Sequence, residues 1–283
     1  MSVPRVFDLG ACLLHGPMSV AIRSGEMGRS TIGKGGSTPG TYSFGEMLQL
    51  LDFLENKIEI PAEFRPICGY HLNYQPGTGA AGFTGADVCL IEPNGVVDID
   101  WDGFKINRAQ VQRYVTNPLK VLGREAAKTA SNWYQRGILA CNEEVRGDLA
   151  QQLIQQIPDT IEGHDLLVGI LDRAHGIQRD VHADMDEIIR RIPIPIGLIA
   201  YAYQYLPDGR PVFWPSDFQK QMKSVAARFN LPYLEPWRLV LEHGGAPVLK
   251  PDLRHYREEF IPTVSSFISR FAADVAERGK MAA

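Results

Sequence analysis

Apolar and polar positions along the chain change their spacing repeatedly, and each change marks an element. An apolar run of β type, Val6 to Leu9, breaks at Gly10 and predicts a first strand over residues 5–9. A short helical segment follows, and then SGEMGRSTIGKGGSTPG, Ser24 to Gly40, whose glycine content predicts a surface loop. In SFGEMLQLLDFLEN the apolar residues return at helical spacing. Ser43 stands as N-cap with Glu46 after it, a capping-box pattern that predicts a helix over about residues 44–56. Two shorter apolar runs, FRPICGYHL and ADVCLIEP, read as strands at 65–71 and 87–92. Residues 107–191 carry long helical stretches. After them come a strand at 196–203, a helix in SDFQKQMKSVAARF, a strand at 231–235 and an amphipathic helix at about 257–277.

Strands that alternate with helices predict an α/β protein: a three-layer α/β/α sandwich on a mainly parallel five-stranded sheet, flavodoxin-like in class. The expectation is one domain over 1–283, with 107–191 as a helical insertion that serves as a lid or as a homodimer interface. In such sheets ligands bind beyond the carboxyl ends of the strands. Three segments emerge at that edge: GACLLHGP after the first strand, EPNG after the third and KPDLRHY after the fifth.

Composition narrows the function. The 283 residues are 45% hydrophobic and 22% charged, enough for a substantial core. A net charge of -4 without a basic stripe argues against nucleic acid as a partner. Asp8 sits where a signal peptide would be most apolar, and no run reaches the length of a membrane span, so a cytoplasmic protein with no membrane partner is expected. Cys12, Cys68, Cys89 and Cys141 are widely spaced and form no CxxC pair, which predicts reduced thiols rather than a zinc site or a disulfide framework. Cys89 and Cys141, inside apolar stretches, read as small buried hydrophobes.

The candidate chemistry lies at the sheet edge. In PDLRHY, Asp252 and His255 are spaced so that one turn holds a carboxylate and an imidazole on one side. The carboxylate then orients the ring and leaves its other nitrogen free as a base. Cys12, just past a strand and ahead of a helix, sits where backbone N–H groups converge, and these lower a thiol pKa and hold an oxyanion. Asn94, in a Pro-Asn-Gly turn, offers a side-chain N–H to the same oxyanion.

This order, a nucleophile after the first strand, an Asn after a central strand and D-x-x-H before the last helix, resembles the SGNH/GDSL hydrolases. The resemblance implies a three-layer α/β/α fold and acyl transfer through a covalent intermediate, with no cofactor and no metal. It puts the nucleophile on Cys12, the triad partners on Asp252 and His255, and the oxyanion donors on Cys12, Gly69 and Asn94. The family's Gly-Asp-Ser is here Gly10-Ala11-Cys12, and its Gly-x-Asn-Asp is Glu92-Pro93-Asn94-Gly95. A His-paired thiolate suits thioester exchange, and Gly-x-Cys also looks like polysaccharide-biosynthesis relatives of the fold. The expectation is an acyltransferase or a thioesterase/esterase acting on a small-molecule or carrier-bound acyl substrate. The competing expectation is an inactive module of the same fold that binds a ligand or partner.

Other signals carry less. GRSTIGKGG, Gly28 to Gly36, lacks the Ser or Thr of a P-loop and reads as a lid from which Lys34 meets an anionic substrate. His15 and His71 lie near the edge and read equally as substrate contacts or as satisfied core histidines. His175 and His182 could share a helix face, but without the spacing of a zinc pair they read as part of a solvated charged face. The aromatic stretch at 201–215, with Trp237, reads as an apolar wall beside the fourth strand.

Overall fold

A computed structural model describes residues 3–30, 39–76, 83, 85–199, 204–205, 211–212, 216–252 and 255–282. The strands are β1 (Arg5–Leu9), β2 (Gly28–Arg29), β3 (Val88–Ile91), β4 (Val97–Trp101), β5 (Phe104–Lys105), β6 (His175–Gln178), β7 (Ile196–Ile199), β8 (Gln204–Tyr205), β9 (Pro211–Val212) and β10 (Tyr233–Leu234). The helices are α1 (Cys12–Arg23), α2 (Phe44–Leu54), α3 (Arg108–Val111), α4 (Asn117–Lys120), α5 (Arg124–Asn132), α6 (Glu143–Ile154), α7 (His164–Arg173), α8 (Val181–Arg191), α9 (Ser216–Arg228), α10 (Pro236–Glu242) and α11 (Ile261–Ala282).

Five strands form a parallel sheet in the order β10-β7-β3-β1-β2. Alternation along β1 and β3 sorts their side chains to two faces. Val6, Val88 and Leu90 join a cluster with Leu14 and Met18 of α1 and Val264 and Ile268 of α11. Phe7, Leu9, Cys89 and Ile91 join another with Phe44, Met47 and Leu51 of α2, Trp133 and Ile188. Helices thus cover both faces of one sheet, and the architecture is the expected three-layer α/β/α. The strand order reverses direction between β1 and β3, which makes the edge beyond those two strands the natural place for a ligand.

Two assignments need correction. Residues 65–71 form turns, not a strand, and the fifth strand is the short β2 beside β1. Pro66 and Gly69 break the run, and its apolar side chains serve packing instead: Ile67, Cys68 and Tyr70 are buried, with Tyr70 edge-on to Phe53 at 5.1 Å. A second, antiparallel sheet, β5-β4-β6, was also unforeseen. It places His175 on a strand and His182 on α8, so the two do not share a helix. Residues 108–191 are otherwise mostly helical, with π-helical turns at Gln112–Thr116 and Trp133–Ile138, and their apolar side chains enter the α2-side cluster. Among the described residues no helix is long and apolar enough to cross a membrane.

Candidate active site

The turn after β1 is shaped by close approach. A Cβ on Gly10 would lie 2.9 Å from both Glu92 Cβ and Leu14 Cδ2, so only glycine lets the chain pass between the end of β3 and α1. Ala11 is the N-cap, in extended conformation, and Cys12 is the first residue of α1, exposed. Beside it runs the segment ahead of α2. Thr41 donates its N–H to the Gly10 carbonyl at 2.8 Å, and the Tyr42 carbonyl accepts from Asn94 N–H at 2.7 Å. That segment therefore lies between the ends of β1 and β3, and the Tyr42 hydroxyl reaches the Cys12 sulfur as a hydrogen-bond donor.

From the far end of the chain, Asp252 and His255 arrive just ahead of α11. His255 Nε2 lies 3.4 Å from Cys12 Sγ, and its Nδ1 lies 2.6 Å from Asp252 Oδ2. The other Asp252 oxygen accepts the His255 backbone N–H at 3.1 Å, so one carboxylate fixes both the turn and the ring. Tyr256, buried next in sequence and edge-on to Phe260 at 6.0 Å, ties the segment to the α1-side core. The three side chains expected to act together are adjacent.

Electrostatics at Cys12 differ from expectation. Burial pushes the thiol above its ordinary value, and the Glu92 carboxylate adds to that push. The amides of Cys12 and Leu13, with Tyr42, pull the other way without prevailing. The helix N-terminus does not simply favour the thiolate, because Glu92 has taken part of it. Glu92 is 2% exposed, and its Oε2 accepts N–H bonds from Ala11 at 3.2 Å and Leu14 at 3.0 Å. Burial raises the Glu92 carboxyl to about 8.

Neighbouring groups complete the edge. His15, one turn along α1 from Cys12, pairs through Nε2 with Asp8, a buried carboxylate on β1. Asn94 follows β3, as expected; its carbonyl accepts from Arg108 at 3.3 Å. Its Oδ1 is buried without a hydrogen-bond partner among the described residues. Gly69 departs from expectation: its N–H is donated to the Pro66 carbonyl at 3.2 Å, and a Cβ there would come within 3.1 Å of Asn107, which bonds to the Gly40 carbonyl at 2.6 Å. The segment next to Cys12, between the ends of β1 and β3, is residues 39–43, not the turn around Gly69. His71 lies in the exposed stretch just after it, accepting the Asn73 N–H at 3.2 Å. Lys34 and most of 201–215 lie outside the described residues.

Two of the remaining cysteines separate cleanly from Cys12 by burial. Cys68 and Cys89 are buried, and burial pushes the Cys68 thiol up to about 12. Cys141, expected inside the core, is exposed at the end of a π-helical turn. Sequence reasoning missed Glu92, Tyr42 and the Asp8–His15 pair. A carboxylate inside or at the end of an apolar strand is out of place unless partnered, which marks Asp8 and Glu92 as held by something without saying by what.

Over residues 4–271 the chain matches the TviD N-terminal domain family. The chain belongs to that family. No curated protein matches it. The TviD N-terminal domain match runs through Cys12, Glu92, Asn94 and His255 alike, so the whole edge described above falls inside it.

Proposed function

We propose that this TviD-family domain is an acyl-transfer enzyme of SGNH-like design, with Cys12, His255 and Asp252 as a triad. The observation that carries the reading is the unbroken hydrogen-bond line from Cys12 Sγ through His255 to Asp252 at the sheet's switch point. Membership in the TviD N-terminal domain family supports a place in polysaccharide biosynthesis, with transfer favoured over hydrolysis.

In the first half-reaction Sγ attacks the acyl carbonyl while its proton passes to His255 Nε2. The S–C bond forms and the carbonyl π pair moves to oxygen, held by the Cys12 N–H and the Asn94 side-chain amide. Collapse of that intermediate expels the donor's leaving group, which takes the proton from His255 and leaves acyl-Cys12. An acceptor hydroxyl then gives its proton to His255 as its oxygen attacks, and the S–C bond breaks to return the thiol. Asp252 keeps Nδ1 paired throughout, which fixes the ring and stabilises its protonated state.

The test is mass spectrometry of the protein mixed with p-nitrophenyl acetate or acetyl-CoA and no acceptor. An acetyl adduct on the Cys12 peptide is expected, and it should disappear when an acceptor polysaccharide is added. The second reading, an inactive binding module, rests on the raised Cys12 thiol. Absence of any adduct, with Cys12 no more reactive than Cys141, would favour it.

A further inference from the structure

Glu92 is an ionisable group bonded to the Cys12 turn to which this chemistry assigns no task. Strand alternation sets it on the same face as Val88 and Leu90, directed at the first turn of α1. There a single oxygen accepts two amides that flank Cys12. The positive end of α1 is consequently divided. Ala11 and Leu14 serve Glu92, while the Cys12 and Leu13 amides remain for the sulfur. The bare Gly10, which leaves room for the Glu92 side chain, is a second mark of the same arrangement.

We propose that Glu92 is a positioning residue for Cys12: it pins the nucleophile's turn and draws the positive end of α1 away from the sulfur, so that His255 removes the Sγ proton during attack. The proposal rests on reading Cys12 as the nucleophile. Other charged or titratable groups face this pair from every side. They are Asp8 of β1 with its partner His15 of α1, Tyr42 from the segment ahead of α2, and His255 with Asp252 from the segment ahead of α11. The Glu92 charge appears near pH 8, within the range where a thiol ionises.

Glu92→Gln separates charge from anchoring, because the glutamine Oε1 can accept both amides. The measurement is the pH dependence of iodoacetamide alkylation at Cys12, resolved by peptide mass spectrometry, with exposed Cys141 as internal reference. Alkylation of Cys12 in the variant should be about 3- to 10-fold faster around pH 8.5, the effect of lowering a thiol pKa by roughly half to one unit. Cys141 should not change. A folded variant whose Cys12 profile coincides with wild type overturns the role of Glu92, whereas failure of the wild-type acyl adduct overturns the nucleophile reading itself. Should Glu92→Gln not fold, His255→Ala/Tyr42→Phe leaves Glu92 as the ionisable side chain bonded to the Cys12 turn. Its alkylation profile should then spread over a wider pH range than one ionisation gives. A single sharp step there overturns the proposal.

Discussion

Replacing Cys12 by Ala should end acyl transfer and barely disturb the fold, because the side chain is exposed at the first turn of α1 and its loss leaves almost no cavity. The expected result is no acetyl adduct, together with an unfolding free energy from urea titration within about 0.5 kcal/mol of wild type. Asp252→Asn should keep the hydrogen bond to the His255 backbone but lose the charge that orients and stabilises the ring. Its rate of acyl-enzyme formation should fall about 10²- to 10⁴-fold, measured by stopped-flow release of p-nitrophenol. A protein whose rate is unchanged would show that Asp252 only caps the turn. Both residues were visible in the sequence because strand-end position and D-x-x-H spacing are local facts. Glu92 was not. Its meaning depends on β3 lying beside β1 with α1 above them, and parity along a strand says nothing until its neighbours are known. Tyr42 gave no signal at all, since it comes from irregular backbone held by long-range bonds, Thr41 to Gly10 and Tyr42 to Asn94, that no local pattern announces.

Among the elements, two glycines carry more constraint than their surroundings suggest. Gly10→Ala would push a Cβ against Glu92 and Leu14 and should destabilise the protein by about 1–3 kcal/mol in urea titration. Gly45→Ala should cost more. Its Cβ would overlap the Asp98 carboxylate that accepts the Gly45 N–H at 3.2 Å, at the opening turn of α2, and that group is fully buried. The α2 start was legible as a capping box, and Ser43 does accept the Glu46 N–H at 3.3 Å. The reciprocal bond is different, because the Glu46 carboxylate turns to Tyr42 N–H at 3.1 Å and Asn107 Nδ2 at 2.9 Å. Strands with apolar runs, β1, β3 and β7, were readable for the same reason that they are buried on both faces. β2 was not, since two residues cannot show a period. The β4–β5 hairpin did leave a sign: Asp102 and Gly103 both have positive φ, the Asp-Gly pair that a tight turn prefers.

Across the whole molecule, the interior holds more acid than its apolar composition suggests, with Asp8, Glu46, Glu92 and Asp98 all buried. Each ties one element to another: Asp8 to the neighbouring α1, and, across longer stretches of sequence, Glu46 to Asn107, Glu92 to α1, and Asp98 to α2 and Arg179. These links hold the edge segments around Cys12 in register, and they carry an electrostatic cost. Burial raises both Glu46 and Glu92 from 4.5 to about 8, and raises Asp98 as well. A carboxyl raised on folding binds its proton more tightly in the folded state than in the unfolded chain. Its contribution is therefore fully present below the unfolded value and is lost as pH rises towards the folded one. Partly exposed acids work oppositely: arginine or lysine partners hold Glu55, Glu143 and Glu235 below the usual range, so what they contribute is lost only as the solution becomes acid. Stability should accordingly peak near pH 5 and decline by several kcal/mol on going to pH 8.5, measured by urea unfolding across the range. Glu46→Gln should flatten that decline without altering the acyl adduct on Cys12, as its bonds go to Tyr42 and Asn107 and not to the Cys12 turn. A stability curve that stays level or rises between pH 5 and 8.5 would mean that both carboxyls are ionised throughout, stabilised inside the fold by Arg108 and the helix amides rather than kept neutral by burial.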